Sequence, residues 1–327
     1  MALKIDYIYN SDALEALKTM DDESVNCIVT SPPYYALRSY EHEGQIGLES
    51  TPEEYIERLT AVFHEAKRVL RKDGTLWLNI ADSYWGSGSR GFDFTKKPLE
   101  HSDIQKNHKG TLNLSDVPKL VGKRGVYKNK DLIGIPWMLA FALRADGWYL
   151  RQEIIFAKRN TMPESVKDRC TKSHEQIFLF SKEPKYYFDY EAIQEPCVDG
   201  DPTSPRGSKG TVTSNGGRRK KDVDTPIPLK REKRNKRDVW TVSVGGNREE
   251  HYATYPEELI EPCILAGCPK NGIVLDPFMG SGTTGAVAVR LGRHYAGVEL
   301  NPKYVEIAKR RISKSAYQFN LLEDCCG

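Results

Sequence analysis

The feature that most constrains the fold is a strand–turn–helix–strand pattern close to the C-terminus. Residues 272–276, Gly-Ile-Val-Leu-Asp, have the apolar character of a buried strand, and a glycine-rich turn follows at 280–285. The pattern then predicts a helix at 286–291, a second strand at 294–300 and a final helix that begins at Asn301-Pro302 and runs to about residue 312. Two strands joined through a helix form a βαβ unit, which places them side by side and parallel in one sheet.

The N-terminal part of the sequence alternates in the same way. Val25–Thr30 is a compact β-rich run, and Thr51-Pro52 puts a capping residue ahead of a proline at the first helical position. Asp73-Gly74 is expected to end that helix before a strand at 75–81. The remaining predicted elements are a strand at 4–9, a helix capped by Ser11 or Asp12, a helix at 135–144, and strands at 148–156 and 176–180 that could pair antiparallel. Together they predict one mainly parallel α/β sheet.

The glycine turn matches the spacing G-x-G-x-x-G through Gly280, Gly282 and Gly285. No lysine follows the glycines, so the turn is not a phosphate-binding P-loop. A carboxylate stands at the end of each strand: Glu299 could bind the two ribose hydroxyls of an adenosine cofactor, and Asp276 would suit a cationic group such as the α-amino group of S-adenosylmethionine. The alternative is that Asp276 only ends its strand and caps the turn.

A second candidate site is the Ser-Pro-Pro-Tyr segment, Ser31 to Tyr34, which directly follows the strand Val25–Thr30. In an open α/β sheet, ligands bind in the crevice at the carboxyl ends of the strands. The Ser31 hydroxyl and the Pro32 carbonyl could accept the two hydrogens of an exocyclic amino group, while Tyr34 stacks on a base flipped out of the double helix. The alternative is a polyproline-like turn with packed tyrosines.

The two segments together resemble the amino-methylating DNA methyltransferases of the N4-cytosine/N6-adenine family, in the permuted β-type motif order. The resemblance rests on Ser-Pro-Pro-Tyr near the N-terminus and Asp-Pro-Phe-Met-Gly-Ser-Gly-Thr-Thr near the C-terminus. Other segments resemble further family blocks: Asn10 to Ala13, Gln45 to Gly74, Thr75 to Tyr84, Arg151 to Pro163 with the pattern R-x-x-x-x-F-x-K-x-N-x-x-P, and His251 to Pro256.

The resemblance implies an α/β, Rossmann-like fold of the S-adenosylmethionine-dependent methyltransferases. This fold has a mainly parallel seven-stranded sheet with helices on both faces and strand order 3-2-1-4-5-7-6, here circularly permuted and carrying basic loop inserts. S-adenosylmethionine would be the cofactor, with direct transfer of its methyl group to nitrogen. Family members with Ser at the first position of the proline motif mostly act on cytosine N4, so we expect N4-cytosine methylation, with N6-adenine as the alternative.

Residue roles carry over motif by motif. The expected catalytic residues are Ser31, Pro32, Pro33 and Tyr34. The expected cofactor-binding residues are Asp12, Ala13, Tyr255, Pro256, Asp276, Pro277, Phe278, Gly280, Ser281, Gly282, Thr283, Thr284, Glu299, Leu300 and Asn301. Neither the motifs nor the spacing of cysteine and histidine predicts a metal site.

Charge is unevenly distributed along the chain, although the formal net charge is only +3. The segment from Thr203 to Arg237 carries +9 and the segment from Lys96 to Lys130 carries +6, so the other 257 residues carry −12. The first segment lies where the family places its target-recognition region, and clustered lysine and arginine bind DNA phosphates. The expected DNA-binding residues are Arg218, Arg219, Lys220, Lys221, Arg231, Lys233, Arg234 and Arg237. For the second segment, a solvated face is as plausible as a DNA contact.

These features divide the chain into five expected segments. They are the N-terminal half of the catalytic domain (1–85), a basic mobile loop (86–130), the rest of the catalytic sheet (131–190), a basic target-recognition insert (191–238) and the cofactor-binding half (239–327). Seven cysteines without a paired spacing favour a reducing compartment, and neither a leader pattern nor a long apolar run is visible, so we expect a cytoplasmic protein without a membrane anchor.

The expected partners are double-stranded DNA and a cognate restriction endonuclease acting on the same site, although an orphan or phage methylase would have no such nuclease. The chain could act as a monomer or a dimer. Two readings from other classes compete with this one. An NAD-dependent dehydrogenase would account for the glycine turn alone, and a non-catalytic DNA-binding protein for the basic segments alone.

Overall fold

The computed structural model describes residues 3–37, 44–86, 125–197, 232–244 and 255–326, with side chains as far as Tyr317. Its strands are β1 (Tyr7–Asn10), β2 (Val25–Thr30), β3 (Leu70–Ile80), β4 (Tyr149–Lys158), β5 (His174–Ser181), β6 (Glu195–Pro196), β7 (Lys233–Arg234), β8 (Val239–Val242), β9 (Ile273–Asp276) and β10 (His294–Glu299). Its helices are α1 (Ala13–Thr19), α2 (Pro52–Val69), α3 (Ile135–Ala145), α4 (Glu257–Gly267), α5 (Thr283–Arg290) and α6 (Pro302–Cys326).

Eight of these strands form one sheet in the order β1-β10-β9-β2-β3-β5-β4-β8. Neighbouring strands are parallel throughout, except that β5 runs antiparallel to both β3 and β4. In the family's numbering, the first seven strands of this list follow the expected order 3-2-1-4-5-7-6. The count of seven was wrong by one strand, because β8 adds to the edge by pairing in parallel with β4.

The two ends of the chain meet in the middle of this sheet. Strand β2 pairs with β9 through Cys27–Val274 and Ile28–Leu275, and β1 pairs with β10 along its full length. The N-terminal and C-terminal βαβ units are therefore neighbours in space. Their carboxyl ends lie at one edge of the sheet, which brings the proline motif and the glycine turn together.

Helices cover both faces of the sheet, as expected. Helices α1, α2 and α3 pack in one apolar cluster, which includes Leu17, Leu59 and Leu139. Helices α4, α5 and α6 pack in the other, which includes Ile264 and Val287. Both clusters are built from side chains with almost no exposed surface, so the sheet is the middle of three layers.

Local sequence signals explain where most helices begin. Helix α2 starts with a capping box, in which Thr51 accepts a hydrogen bond from the backbone of Glu54 and the Glu54 side chain accepts one from the backbone of Thr51. Asp12 caps α1 by accepting from Leu14 N and Glu15 N. The sequence placed the start of α5 three residues late and the end of α6 fourteen residues early, since α5 begins at Thr283 and α6 reaches Cys326.

The prediction that Asp73-Gly74 ends α2 was wrong. The helix ends at Val69, and β3 begins at once with Leu70 and runs through Asp73 and Gly74. The pairing of β2 with β3 shifts register between Val25 and Cys27. A Cβ at position 74 would lie 2.5 Å from the Leu70 side chain, so the glycine permits a bulge within the strand and does not stop a helix.

A separate two-stranded ladder joins β6 to β7, with Glu195 opposite Arg234. Most of the expected basic loop and insert lies outside the described residues, at 87–124 and 198–231. Within the described ranges, no helix combines the length and the apolar character needed to cross a membrane.

Candidate functional site

A cavity of about 320 Å³ opens at the carboxyl ends of the central strands. One wall is formed by the glycine turn, by residues at the end of β10 and by the start of α1; we call it the glycine-turn side. The opposite wall is formed by the Ser-Pro-Pro-Tyr segment together with residues of β3, β4 and β5; we call it the proline-motif side. The fold thus places both sequence motifs on one cavity.

On the glycine-turn side, Glu299 holds the loop in shape. One carboxylate oxygen accepts from Gly280 N at 2.8 Å and the other from Asn301 N at 2.8 Å. Burial raises the pKa of Glu299, and the two backbone amides oppose that rise. Glu299 lines the cavity, where a strand-end carboxylate can accept hydrogen bonds from the hydroxyls of a ribose.

The glycines of the turn are required by backbone shape and by close packing. Gly282 precedes α5 with φ +84°, and a Cβ there would lie 2.8 Å from Ala308 of α6. A Cβ at Gly285 would lie 2.5 Å from the Ile312 side chain. Any side chain at these positions would push α5 away from α6, and the turn would lose its place on the cavity wall.

Asp276 is buried, with 1% exposure, and does not line the cavity. Its Oδ1 accepts from the Thr30 hydroxyl at 2.6 Å and from Phe278 N at 3.0 Å. Its Oδ2 accepts from Thr284 at 2.5 Å and from Tyr255 at 3.1 Å. Burial raises the pKa of Asp276, and these hydrogen bonds oppose the rise. The carboxylate therefore ties the end of β2 to the end of β9 and to the start of α5.

Arg311 of α6 supports the turn from behind. Its guanidinium donates to Ser281 Oγ at 3.2 Å and to Thr283 Oγ1 at 2.8 Å, and it also pairs with Glu257 at 2.8 Å. Sequence reasoning missed this residue, because it lies among other basic residues on a helix and nothing local marks it.

On the proline-motif side, Ser31, Pro32, Pro33 and Tyr34 all line the cavity. The segment is anchored from α2, where the Tyr55 hydroxyl donates to the Pro33 carbonyl at 2.8 Å. Tyr34 is partly buried, and its hydroxyl donates to Glu175 at 2.8 Å. Burial, and then the charge of Glu175, raises the pKa of Tyr34 well above its usual value, so the phenol is protonated.

Three further polar residues lie on this wall, and the sequence did not single them out as site residues. Glu175 is the second residue of β5, Lys158 ends β4, and Asn79 lies near the end of β3. Lys158 pairs with one Glu175 oxygen, and Asn79 donates to the other at 3.2 Å. Two of them lie within family blocks named above, Lys158 between Arg151 and Pro163 and Asn79 between Thr75 and Tyr84, whereas Glu175 lies in none of these blocks. Phe156, in the same block as Lys158, also lines the cavity.

The structure places most of the expected cofactor residues on the cavity wall. Those that line it are Asp12, Ala13, Tyr255, Pro256, Pro277, Phe278, Gly280, Ser281, Thr283, Glu299, Leu300 and Asn301. Asp276, Gly282 and Thr284 instead lie behind the wall and support it.

The expected DNA-binding residues fall into two groups. Arg218, Arg219, Lys220, Lys221 and Arg231 lie outside the described residues. Of the others, Arg234 and Arg237 both donate to Glu195, at 2.9 Å and 2.6 Å, and Lys233 lies in β7. Among the residues that the structure describes, no group of three or more His, Cys, Asp or Glu side chains could hold a metal ion.

The site and fold agree with comparisons against known proteins. A sequence profile described as DNA methylase, of the N6/N4 type, matches residues 25–310, a span that contains both motifs. The chain therefore belongs to the N6/N4 DNA methylase family.

Curated relatives place the chain more closely within that family. Type II methyltransferase M.Cfr9I of Citrobacter freundii is 45% identical over 93% of this chain and 87% of the relative. Type II methyltransferase M.SmaI of Serratia marcescens is 43% identical over 92% of this chain and 88% of the relative. The chain is a DNA methyltransferase of the Type II restriction–modification kind.

Solved structures confirm the fold. PvuII DNA methyltransferase, which is cytosine-N4-specific, superposes with a TM-score of 0.58 at 16% identity, over 97% of this chain and 93% of that one. TTHA0409 of Thermus thermophilus, solved in complex with S-adenosyl-L-methionine, superposes with a TM-score of 0.56 at 22% identity, over 94% of this chain and 95% of that one.

Proposed function

We propose that the chain methylates the exocyclic N4 of a cytosine flipped out of double-stranded DNA. The observation that carries the proposal is the single cavity with the glycine turn on one wall and Ser31 to Tyr34 on the other. A cofactor on the first wall and an amino group on the second would face each other across it. Such positioning is the main means by which a protein accelerates a direct group transfer.

S-adenosylmethionine is the methyl donor and supplies an electrophilic methyl group on a sulfonium sulfur. The residues on the glycine-turn side fit this molecule. Glu299 is the candidate for the ribose hydroxyls, and the side chains of Phe278, Val298 and Leu300 offer an apolar surface to the adenine ring. Asp276 contributes through Thr30, Thr284 and Tyr255, which it holds, because its own carboxylate is enclosed.

On the proline-motif side, Ser31 and the Pro32 carbonyl accept the two hydrogens of the target amino group. Accepting both hydrogens favours a pyramidal nitrogen, whose lone pair is then available for attack. The Tyr34 ring stacks on the flipped base. Aromatic Phe156, on the same wall, offers a second apolar surface for the ring.

The serine at position 31 is the basis for preferring cytosine. Family members with serine there mostly act on cytosine N4, whereas those with aspartate or asparagine mostly act on adenine N6. Adenine N6 is the second candidate, since the same acceptors suit either amino group.

The basic segment that includes residues 203–237 is proposed to contact DNA and to read the target sequence, within the five-part division given above. The described base of this segment is a β6–β7 ladder in which Glu195 pairs with Arg234 and Arg237. These two arginines hold the ladder together, and the other expected residues, Arg218, Arg219, Lys220, Lys221, Arg231 and Lys233, are the proposed contacts to DNA phosphates. We also propose that a cognate restriction endonuclease acts on the same site. The proposed location is the cytoplasm, where the DNA substrate lies.

The direct test is identification of the product. Mixed-sequence DNA is incubated with the chain and methyl-labelled S-adenosylmethionine, digested to nucleosides, and the labelled nucleoside is identified. We expect N4-methylcytosine. Labelled N6-methyladenine would contradict the base assignment and keep the mechanism, and unlabelled DNA would contradict the function. Binding to DNA without cofactor should weaken steeply as salt rises, and a salt-independent affinity would contradict the phosphate contacts.

A further inference from the structure

The polar groups of the proline-motif side form a directed chain of hydrogen bonds. Ser31 Oγ donates to the Tyr34 hydroxyl at 3.3 Å, and the Tyr34 hydroxyl lies 2.8 Å from Glu175 Oε2. A phenol has one proton and a carboxylate only accepts, so the Tyr34 proton belongs to the contact with Glu175, which is shorter than the 3.3 Å contact between the same hydroxyl and Asn79 Oδ1. The chain therefore runs in one direction, from Ser31 through Tyr34 to Glu175.

The start of this chain is the atom assigned to the target amine. Because Ser31 gives its single hydroxyl proton to Tyr34, its lone pairs are what it presents to the cavity, and they accept an N–H of the base. The end of the chain is fixed: Glu175 is 12% exposed, its other oxygen pairs with Lys158, and Asn79 also donates to Oε2. The carboxylate thus stays in place and close to Tyr34.

We propose that this chain carries away the proton that the target amine must lose, with Glu175 as its acceptor. The proposal rests on the proposed function. The amine lone pair forms the new N–C bond, the S–C bond breaks, and its electron pair stays on sulfur. The nitrogen, now positively charged, gives one N–H proton to Ser31 Oγ, Ser31 passes its hydroxyl proton to Tyr34, and Tyr34 passes its proton to Glu175.

The proton and charge balance of this step closes without another reactant. Ser31 and Tyr34 end neutral, as they began, and the carboxylate becomes a carboxylic acid that returns its proton to water before the next turnover. A methylated amino group whose lone pair is in the new bond is a strong acid, so a carboxylate is a sufficient base. Lys158 pairs with the other oxygen of Glu175 and is not a member of the relay.

Two conservative variants separate proton acceptance from simple positioning. Glu175→Gln keeps an oxygen that can accept from Tyr34 but removes the base, and Tyr34→Phe keeps the ring but cuts the chain while leaving the Glu175–Lys158 pair intact. Glu153→Gln, on β4 and away from the cavity lining, is the matched control for an acid-to-amide change. The double variant Tyr34→Phe/Glu175→Gln completes a cycle.

The measurements are the single-turnover rate of methyl transfer to DNA, the Kd values for cofactor and for DNA, and the thermal midpoint of each variant. We expect each single variant to lower the rate about 100-fold, the lower end of the range of general acid–base catalysis, with both Kd values within about threefold of wild type. The double variant should be no slower than the slower single by more than about threefold, because both changes interrupt one chain. The control should transfer at the wild-type rate.

Three results would overturn the relay: a Glu175→Gln rate within threefold of wild type, a double variant whose loss is the product of the two single losses, or a loss confined to DNA or cofactor affinity. If Glu175→Gln does not fold, Tyr34→Phe alone decides, and a wild-type rate in that variant overturns the relay. A wild-type chain that transfers no methyl group to DNA would instead overturn the proposed function itself.

Discussion

The two walls of the cavity are built in different ways. On the glycine-turn side, the hydrogen bonds that shape the loop join residues close in sequence, such as Glu299 to Gly280 and to Asn301. On the proline-motif side, the polar groups come from separate parts of the chain, with Tyr34 bonded to Glu175, 141 residues away. The glycine turn is therefore a local motif, whereas the polar groups of the proline-motif side meet only after the sheet has formed.

Asp276 connects the two walls through its hydrogen bonds, and we call it the joint between them. It belongs to the glycine-turn unit by sequence, and its shortest hydrogen bond, at 2.5 Å, comes from Thr284 of that unit. Its second shortest, at 2.6 Å, comes from Thr30, the residue before Ser31. The difference teaches that a carboxylate at the end of a strand need not touch a ligand to matter. It can instead set the distance between two sites that each have their own ligand.

The largest expected effect is on transfer. Ser31→Ala removes the acceptor assigned to the target amine and leaves the glycine turn untouched, so the single-turnover rate should fall at least about 100-fold while cofactor affinity stays within about threefold. The rate is measured in quenched single-turnover reactions with labelled cofactor, and the cofactor affinity by calorimetric titration. Comparable losses in rate and cofactor affinity would mean that the walls do not act separately.

A smaller effect, on both walls at once, is expected at the joint. Asp276→Ala leaves buried donors from Thr30, Thr284, Tyr255 and the Phe278 backbone without their acceptor. The free energy of unfolding should fall by about 3 kcal/mol, and cofactor affinity should fall with it. Urea unfolding and cofactor titration test this. A variant with wild-type stability and weakened cofactor binding would show direct contact with the ligand instead.

The smallest effect is expected behind the glycine turn. Arg311→Met removes the donor to Ser281 and Thr283, and cofactor affinity should fall about fivefold, a loss of about 1 kcal/mol typical of one hydrogen bond. Arg290→Met is the control, because Arg290 also pairs with Glu257 but makes its other bond to Glu261. Equal losses in both variants would assign the effect to Glu257 and not to the turn.

The contrast between the walls also explains what the sequence could predict. Gly280, Glu299 and Asn301 lie within one βαβ unit, so their meeting follows from a local pattern. The sequence also predicted Val25–Thr30 as a strand, which placed Ser31 at the carboxyl end of that strand. The neighbourhood of β2 and β9 came from the family's permuted order and not from any local signal, and the structure confirms it through the Cys27–Val274 pairing.

Glu175 and Asn79 could not be identified in the same way. Each is one of several polar residues in its strand, and their meeting depends on β5 running antiparallel between β3 and β4. The sequence could not predict that the Asp276 side chain points into the protein. A carboxylate at the end of a strand gives the same sequence pattern whether it faces a ligand or a buried threonine. The eighth strand was missed because Val239–Val242 is short and follows the basic segment.

The most direct test of the two-walled account is cofactor titration, without DNA, of a pair of variants with one change on each wall. Tyr34→Ala should bind S-adenosylmethionine within about threefold of wild type, because its contacts lie on the proline-motif side. Glu299→Ala should bind it at least about tenfold more weakly, the loss of hydrogen bonds to a charged group. Equal affinities for the two variants, or the reverse order, would contradict the assignment of the walls.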